Sequence, residues 1–189
     1  MYNVWFISDT HFGHANIIKY CNRPFDTVEQ MDQVLIANWN SLIRPKDLVY
    51  HLGDVGFGNL ESILNELHGR KILILGNHDA TALKVAAAFK EITPLKTISI
   101  NKQRIILCHY CMRVWEKSHH NSWHLYGHSH GTLEPIGKSW DVGVDNNNFS
   151  PLNLDSIIEI MAQRPDNEIL RAPRYGINNF LTNDLELRL

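Results

Sequence analysis

At 189 residues, with 44 % hydrophobic and 20 % charged side chains, the chain has the size and apolar content of one domain with its own core, which excludes disordered and fibrous classes. Eighteen Lys and Arg against 20 Asp and Glu leave a net charge of −2, which argues against a basic coat for long nucleic acid or for a membrane surface. A small anionic ligand stays open, because a bound cation supplies positive charge that composition does not record.

The first apolar run, Val4-Trp5-Phe6-Ile7, lacks a basic leader and ends at Asp9, too early for a signal peptide or a membrane span. Three cysteines (Cys21, Cys108 and Cys111) are too few for a disulfide framework, so a cytoplasmic setting without a membrane partner is expected. The run itself reads as a strand. Four others share its form: 48–52 runs into Gly53-Asp54, 72–75 into Gly76-Asn77-His78-Asp79, 105–108 into His109, and 123–126 into Gly127-His128-Ser129-His130. Apolar runs this short and unbroken predict strands covered on both faces.

Helical patterns lie between the first three. Thr27-Val28-Glu29-Gln30 is a capping box, and Val28, Met31, Leu35, Trp39 and Leu42 keep helical spacing until Pro45. A shorter helix is predicted over 59–67 and a third over 81–89, which together predict βαβ units and a mainly parallel first sheet. Beyond residue 90, 95–100 and 104–108 around Asn101-Lys102-Gln103 predict a hairpin, and 140–144 a further strand. Asn153 or Asp155 would cap a helix through Ile157, Ile158 and Met161. The expected class is α/β, with two packed sheets and helices outside. Residues 164–189 read as an extension of a domain spanning 1–163, docked on it or partly mobile.

Ligands of open α/β sheets gather beyond the carboxyl ends of the strands. Five runs here end in His, Asp or Asn, and their tips supply seven oxygen and nitrogen donors: Asp9, His11, Asp54, Asn77, His109, His128 and His130. One structural zinc needs four ligands, usually with thiolates. Seven, with one carboxylate shared, divide between two cations about 3.5–4 Å apart. The alternate spacing in Asp9-x-His11 and His128-x-His130 suits extended backbone, which puts both side chains on one side. Each motif alone arises by chance, and Gly76-Asn77-His78-Asp79 also reads as a turn with Asp79 capping a helix. All five together, each just after an apolar run, form the signal.

In that order these motifs resemble the calcineurin-like metallophosphoesterases, in particular the small prokaryotic and phage-borne members. The segments Asp9-Thr10-His11-Phe12-Gly13-His14 and Arg23-Pro24-Phe25 add to the likeness, while Cys111 stands where proline is more usual. The resemblance implies a four-layer α/β/β/α sandwich of two mixed sheets flanked by helices. It implies a centre in which Asp9, His11 and His130 hold one metal, Asn77, His109 and His128 the other, and Asp54 bridges. Two divalent cations would lower the pKa of a bridging water, giving a hydroxide nucleophile, and would clamp the phosphoryl oxygens. An oxygen and nitrogen donor set suits manganese first, with iron, zinc or nickel as alternatives.

The resemblance places His78 beside the leaving oxygen, and Asp79 is expected to orient its ring. His14 and Arg23 are expected to contact substrate. Duller roles fall to most of the remaining candidates. Arg113 stays a candidate for substrate contact, while His119 and His120 read as loop residues, His51 and His124 as structural histidines within strands, and His68 as a helix-end residue facing the dipole. Trp39 and Trp115 read as core. Cys108-x-x-Cys111 straddles His109 at a strand end, which is the wrong place for a redox pair. The expected function is hydrolysis of a phosphodiester or a nucleotide-type phosphate ester, with a small nucleotide or short oligonucleotide as partner. Two alternatives remain: a nuclease working within an assembly, and a non-catalytic metal-binding scaffold.

Overall fold

The computed structural model describes residues 2–168. Among these residues nine strands and five α-helices make a mixed α/β fold with two sheets. Strands β1 (Val4–Ile7), β2 (Leu48–His51), β3 (Arg70–Ile74) and β4 (Phe89–Thr93) run parallel, and β9 (Leu152–Asn153) pairs antiparallel to β1. The second sheet places β5 (Leu95–Ile100) antiparallel to β6 (Gln103–Cys108), with β7 (Trp123–Tyr126) and β8 (Ser139–Asp141) parallel beyond it.

Strand alternation sorts the core into two layers. Phe6, Tyr50, Leu52, Ile72 and Ile74 join Ile98, Ile105, Leu107, Trp123 and Leu125 between the sheets. Trp5, Ile7, Val49 and Leu73 point the other way, toward the helices α1 (Ala15–Tyr20), α2 (Val28–Leu42), α3 (Leu60–Glu66) and α4 (Ala80–Lys84). Helix α2 buries Met31, Leu35 and Trp39, as its spacing predicts, and its Thr27 hydroxyl accepts the Gln30 N–H. The Gln30 side chain bonds the Asp26 N–H instead of that of Thr27, so the box closes one residue early. Helix α5 (Leu154–Ala162) is capped by Asn153, not Asp155, and sends Ile157 and Met161 into the inter-sheet core. No helix among the described residues is long and apolar enough to cross a membrane.

Several elements depart from expectation. The third helix stops at Lys84, and Phe89–Thr93 forms the edge strand β4, because Phe89 buries while Lys90 and Glu91 face water. Ile100 pairs with Gln103, so the hairpin turn is Asn101-Lys102 alone, both at positive φ as a two-residue turn requires. Helix α1 is too short to give a periodic signal. The strand expected over 140–144 pairs with β7 only to Asp141, and Val142 and Gly143 then cross to β1 through bonds with Ser8. Arg164 donates to the Gly137 and Pro135 carbonyls, and buried Asn167 donates to that of Arg113. Residues 169–189 lie outside the described residues.

Candidate metal centre

The register of the parallel strands brings their tips level, Ile7 against His51 and His51 against Leu73, so the loops beyond them emerge side by side. Backbone bonds stitch them together: Asp9 N–H to Gly53, His11 N–H to Asp54, and Gly127 N–H to the His109 carbonyl. The approach is so close that a Cβ on Gly76 would strike the Asp54 carboxylate, and one on Gly127 would strike Ser8 and Asp9. Glycine before the donors of those two motifs is therefore a steric requirement.

All seven expected donors meet at this rim. One ligand atom each from Asp9, His11 and His130 lies within 4.8 Å of the others, and the same holds for Asp54, His109 and His128. Asp54 lies between the groups, its Oδ2 3.6 Å from both His11 Nε2 and His109 Nε2. Asn77 Oδ1 is 3.1 Å from His109 Nε2. Asp9, His11, Asp54, His128 and His130 all hold the left-handed backbone conformation. That is strained for non-glycine residues, of order 1–3 kcal/mol each, and such strain concentrates at functional sites.

The buried ends of this cluster fit divalent cations. Asp9 Oδ1 and both ring nitrogens of His11 are buried without a hydrogen-bond partner, a costly state for polar atoms unless something else satisfies them. Burial pushes the Asp9 carboxyl up to about 8 and the His11 imidazole down to about 2. A cation among these donors would favour the carboxylate and the neutral imidazole, the two ligating forms. Hydrogen bonds aim the rings. His109 Nδ1 lies 2.7 Å from the Leu52 carbonyl and must donate there, which leaves its Nε2 toward Asn77 and Asp54, and His130 Nδ1 lies 2.6 Å from Asp145.

A family model described as the calcineurin-like phosphoesterase superfamily domain matches residues 2–140. The chain belongs to that family. It is 36 % identical over 173 residues to the uncharacterized protein MJ1445 of Methanocaldococcus jannaschii, covering 85 % of this chain and 92 % of that one. It is 40 % identical over 85 residues to the gene 66 protein of Mycobacterium phage L5, 42 % of this chain and 41 % of the other. Among solved structures, the protein of unknown function AQ665 from Aquifex aeolicus superposes with a TM-score of 0.70 at 28 % identity, covering 85 % of this chain and all of that one. Membership makes the chain a metal-dependent phosphoesterase.

Two expected roles in this phosphoesterase need correction. Arg23 does not line the cleft. Its side chain is wholly buried, gripping Asp145 with two bonds of 2.7 and 2.8 Å and donating to the backbone carbonyls of Asp9 and Thr10. Asp79 neither orients the His78 ring nor caps α4 with its side chain; it accepts from the N–H groups of Asp54, Val55 and Gly76 and so clamps the β2 loop to the β3 loop. His78 itself is exposed at the cleft mouth, its N–H held by Asp54 Oδ1 at 2.8 Å. His14 also faces the cleft, half-buried beside Phe57.

The quieter histidines behave as expected, with one shift. His51 bonds the Thr10 hydroxyl, and His124 bonds the Ile106 carbonyl and the Met112 N–H. The His68 ring reaches the Ile43 carbonyl, so it serves the end of α2 and not of α3. All three thiols are free, and burial pushes Cys108 and Cys111 up, against a redox role. One ligand atom each from Cys21, His130 and Asp145 lies within 4.8 Å of the others, but Arg23 already pairs that carboxylate and burial pushes the thiol up to about 11.

Asp145 and Asp141 escaped the sequence reading. Asp145 links Arg23 to His130, and Asp141 accepts from the Ser129 hydroxyl and the Gly131 N–H, shaping the loop that carries His128 and His130. The Asp145-Asn146-Asn147-Asn148 cluster after an apolar run was the available signal. Asp145→Asn should weaken metal binding or activity by about 10–100-fold, since the His130 ring loses its anchor. Metal titration read by fluorescence or calorimetry checks this, and unchanged affinity together with unchanged turnover would remove Asp145 from the support.

Proposed function

We propose that this phosphoesterase uses two divalent cations to hydrolyse phosphodiesters or nucleotide-type phosphate monoesters. The observation that carries the reading is Asp54, whose Oδ2 stands 3.6 Å from a histidine of each donor group, a position from which one carboxylate can serve both. Asp9, His11 and His130 would hold one cation and Asn77, His109 and His128 the other. When bound, the pair would supply the Lewis acidity that activates a water and neutralises the phosphoryl oxygens. The donor set contains no thiolate, which suits manganese ahead of iron, zinc or nickel.

The chain's own residues complete the chemistry. Asp9 and Asp54 lie buried at fixed positions, so ordering them costs nothing further when substrate arrives. His78 projects from the β3 tip into the open cleft, where its ring can give a proton to the departing oxygen. The free thiols support a cytoplasmic setting. Hydrolysis of bis(p-nitrophenyl) phosphate and p-nitrophenyl phosphate tests the proposal. Turnover of at least one that appears with Mn²⁺ and vanishes with chelator is expected. No turnover of either with Mn²⁺, Fe²⁺, Zn²⁺ or Ni²⁺ would contradict it.

A further inference from the structure

The donor cluster occupies one wall of a cleft of about 850 Å³, a volume far larger than a phosphate group needs. The rest of the lining has a different character. Ile17, Tyr20, Phe57 and Leu133 contribute apolar and aromatic surface, and among the described residues no Lys or Arg lines the cleft. Tyr20 and Leu133 are 74 % and 47 % exposed, large apolar side chains left in water at its rim. Phe57 lies with its ring centroid 4.9 Å from that of His14 and 6.1 Å from that of His78, which puts an aromatic face beside the proposed proton donor. Arg23, the cation expected here, is spent on Asp145 and two carbonyls.

We infer that Tyr20, Phe57 and Leu133 form a subsite for a nucleobase carried by the phosphate ester. This rests on the phosphoesterase reading, since the donor cluster must hold the phosphate for the base to reach this wall. Every nucleobase offers a flat face, and stacking on aromatic side chains tolerates any base. Among the described residues the cleft offers no Lys or Arg for further phosphates, so the favoured ester carries its charge on one phosphate group and an uncharged ring beyond it. Tyr20, Phe57 and Leu133 would then set affinity and leave the chemical step alone.

The test compares adenosine 5′-monophosphate with ribose 5-phosphate, which share sugar and phosphate and differ only in the base. Both are measured on Mn²⁺-loaded protein, as competitive inhibitors of p-nitrophenyl ester hydrolysis and by calorimetry. The nucleotide should bind about 10–100-fold more tightly. In Tyr20→Ala and Leu133→Ser that advantage should shrink, with affinity for ribose 5-phosphate unchanged. Equal affinity for the two ligands in active enzyme overturns the subsite and leaves the phosphoesterase reading standing, as does a variant that weakens both ligands alike. Absence of binding to either, in protein that hydrolyses no ester, overturns both.

Discussion

Asp54→Ala should lose metal and activity together, for every substrate. The carboxylate lies near both donor clusters, with Oδ2 3.6 Å from His11 Nε2 and from His109 Nε2, and its Oδ1 holds the His78 N–H at 2.8 Å. Its removal takes a ligand from both cations and frees the turn that presents Asn77 and His78. Binding of metal to the native state stabilises it by RT ln(1 + [L]/Kd), about 2.7 kcal/mol at a hundredfold excess over Kd. The wild-type protein should therefore melt higher with Mn²⁺ and lower with chelator, and Asp54→Ala should show little of that response. Scanning calorimetry across a Mn²⁺ series, with turnover measured on the same samples, checks both halves. A variant that keeps its metal-dependent Tm while losing activity would show that Asp54 acts on substrate and not as a shared ligand.

His78→Ala should behave in the opposite way, keeping near-native metal content while turnover falls by about 10²–10⁴. The ring is exposed at the cleft mouth, and the backbone N–H of His78, which the substitution retains, makes the bond to Asp54. The loss should be large for alkyl or ribose leaving groups, which need a proton as they depart, and small for p-nitrophenolate, which does not. Paired aryl and alkyl phosphodiesters on the wild type and the variant measure the difference. Equal losses for both leaving groups would take the proton-donor role from His78. A change in stability with hardly any change in turnover would reduce Gly76-Asn77-His78-Asp79 to a turn.

The seven donors were readable because each lies just past a short apolar run, and parallel strands in level register deliver their C-terminal loops to one rim. The residues that hold those donors were not readable in the same way. Arg23 and Asp145 lie 122 positions apart, and nothing local announces that they meet or that Asp145 turns next to His130. Arg23 was misplaced because a cation near a phosphate motif suggests an anion contact, whereas its burial makes it a brace under the Asp9 loop. Asp79 was misplaced for a related reason. Its carboxylate takes three backbone N–H groups from two loops, a role set by tertiary approach and not by the helix it precedes. In the fold, α2 was legible from its spacing and cap, while β9, two residues paired with β1, carries no pattern long enough to read. The left-handed backbone at five of the donors was equally invisible, since Asp and His do not advertise it as glycine does.

The central claim is that one carboxylate joins two donor groups into a two-metal centre, and metal content tests it most directly. Protein saturated with Mn²⁺, freed of excess and measured by elemental analysis against its own concentration, should carry about two ions per chain. A content that never exceeds one ion per chain under saturating Mn²⁺ would contradict it.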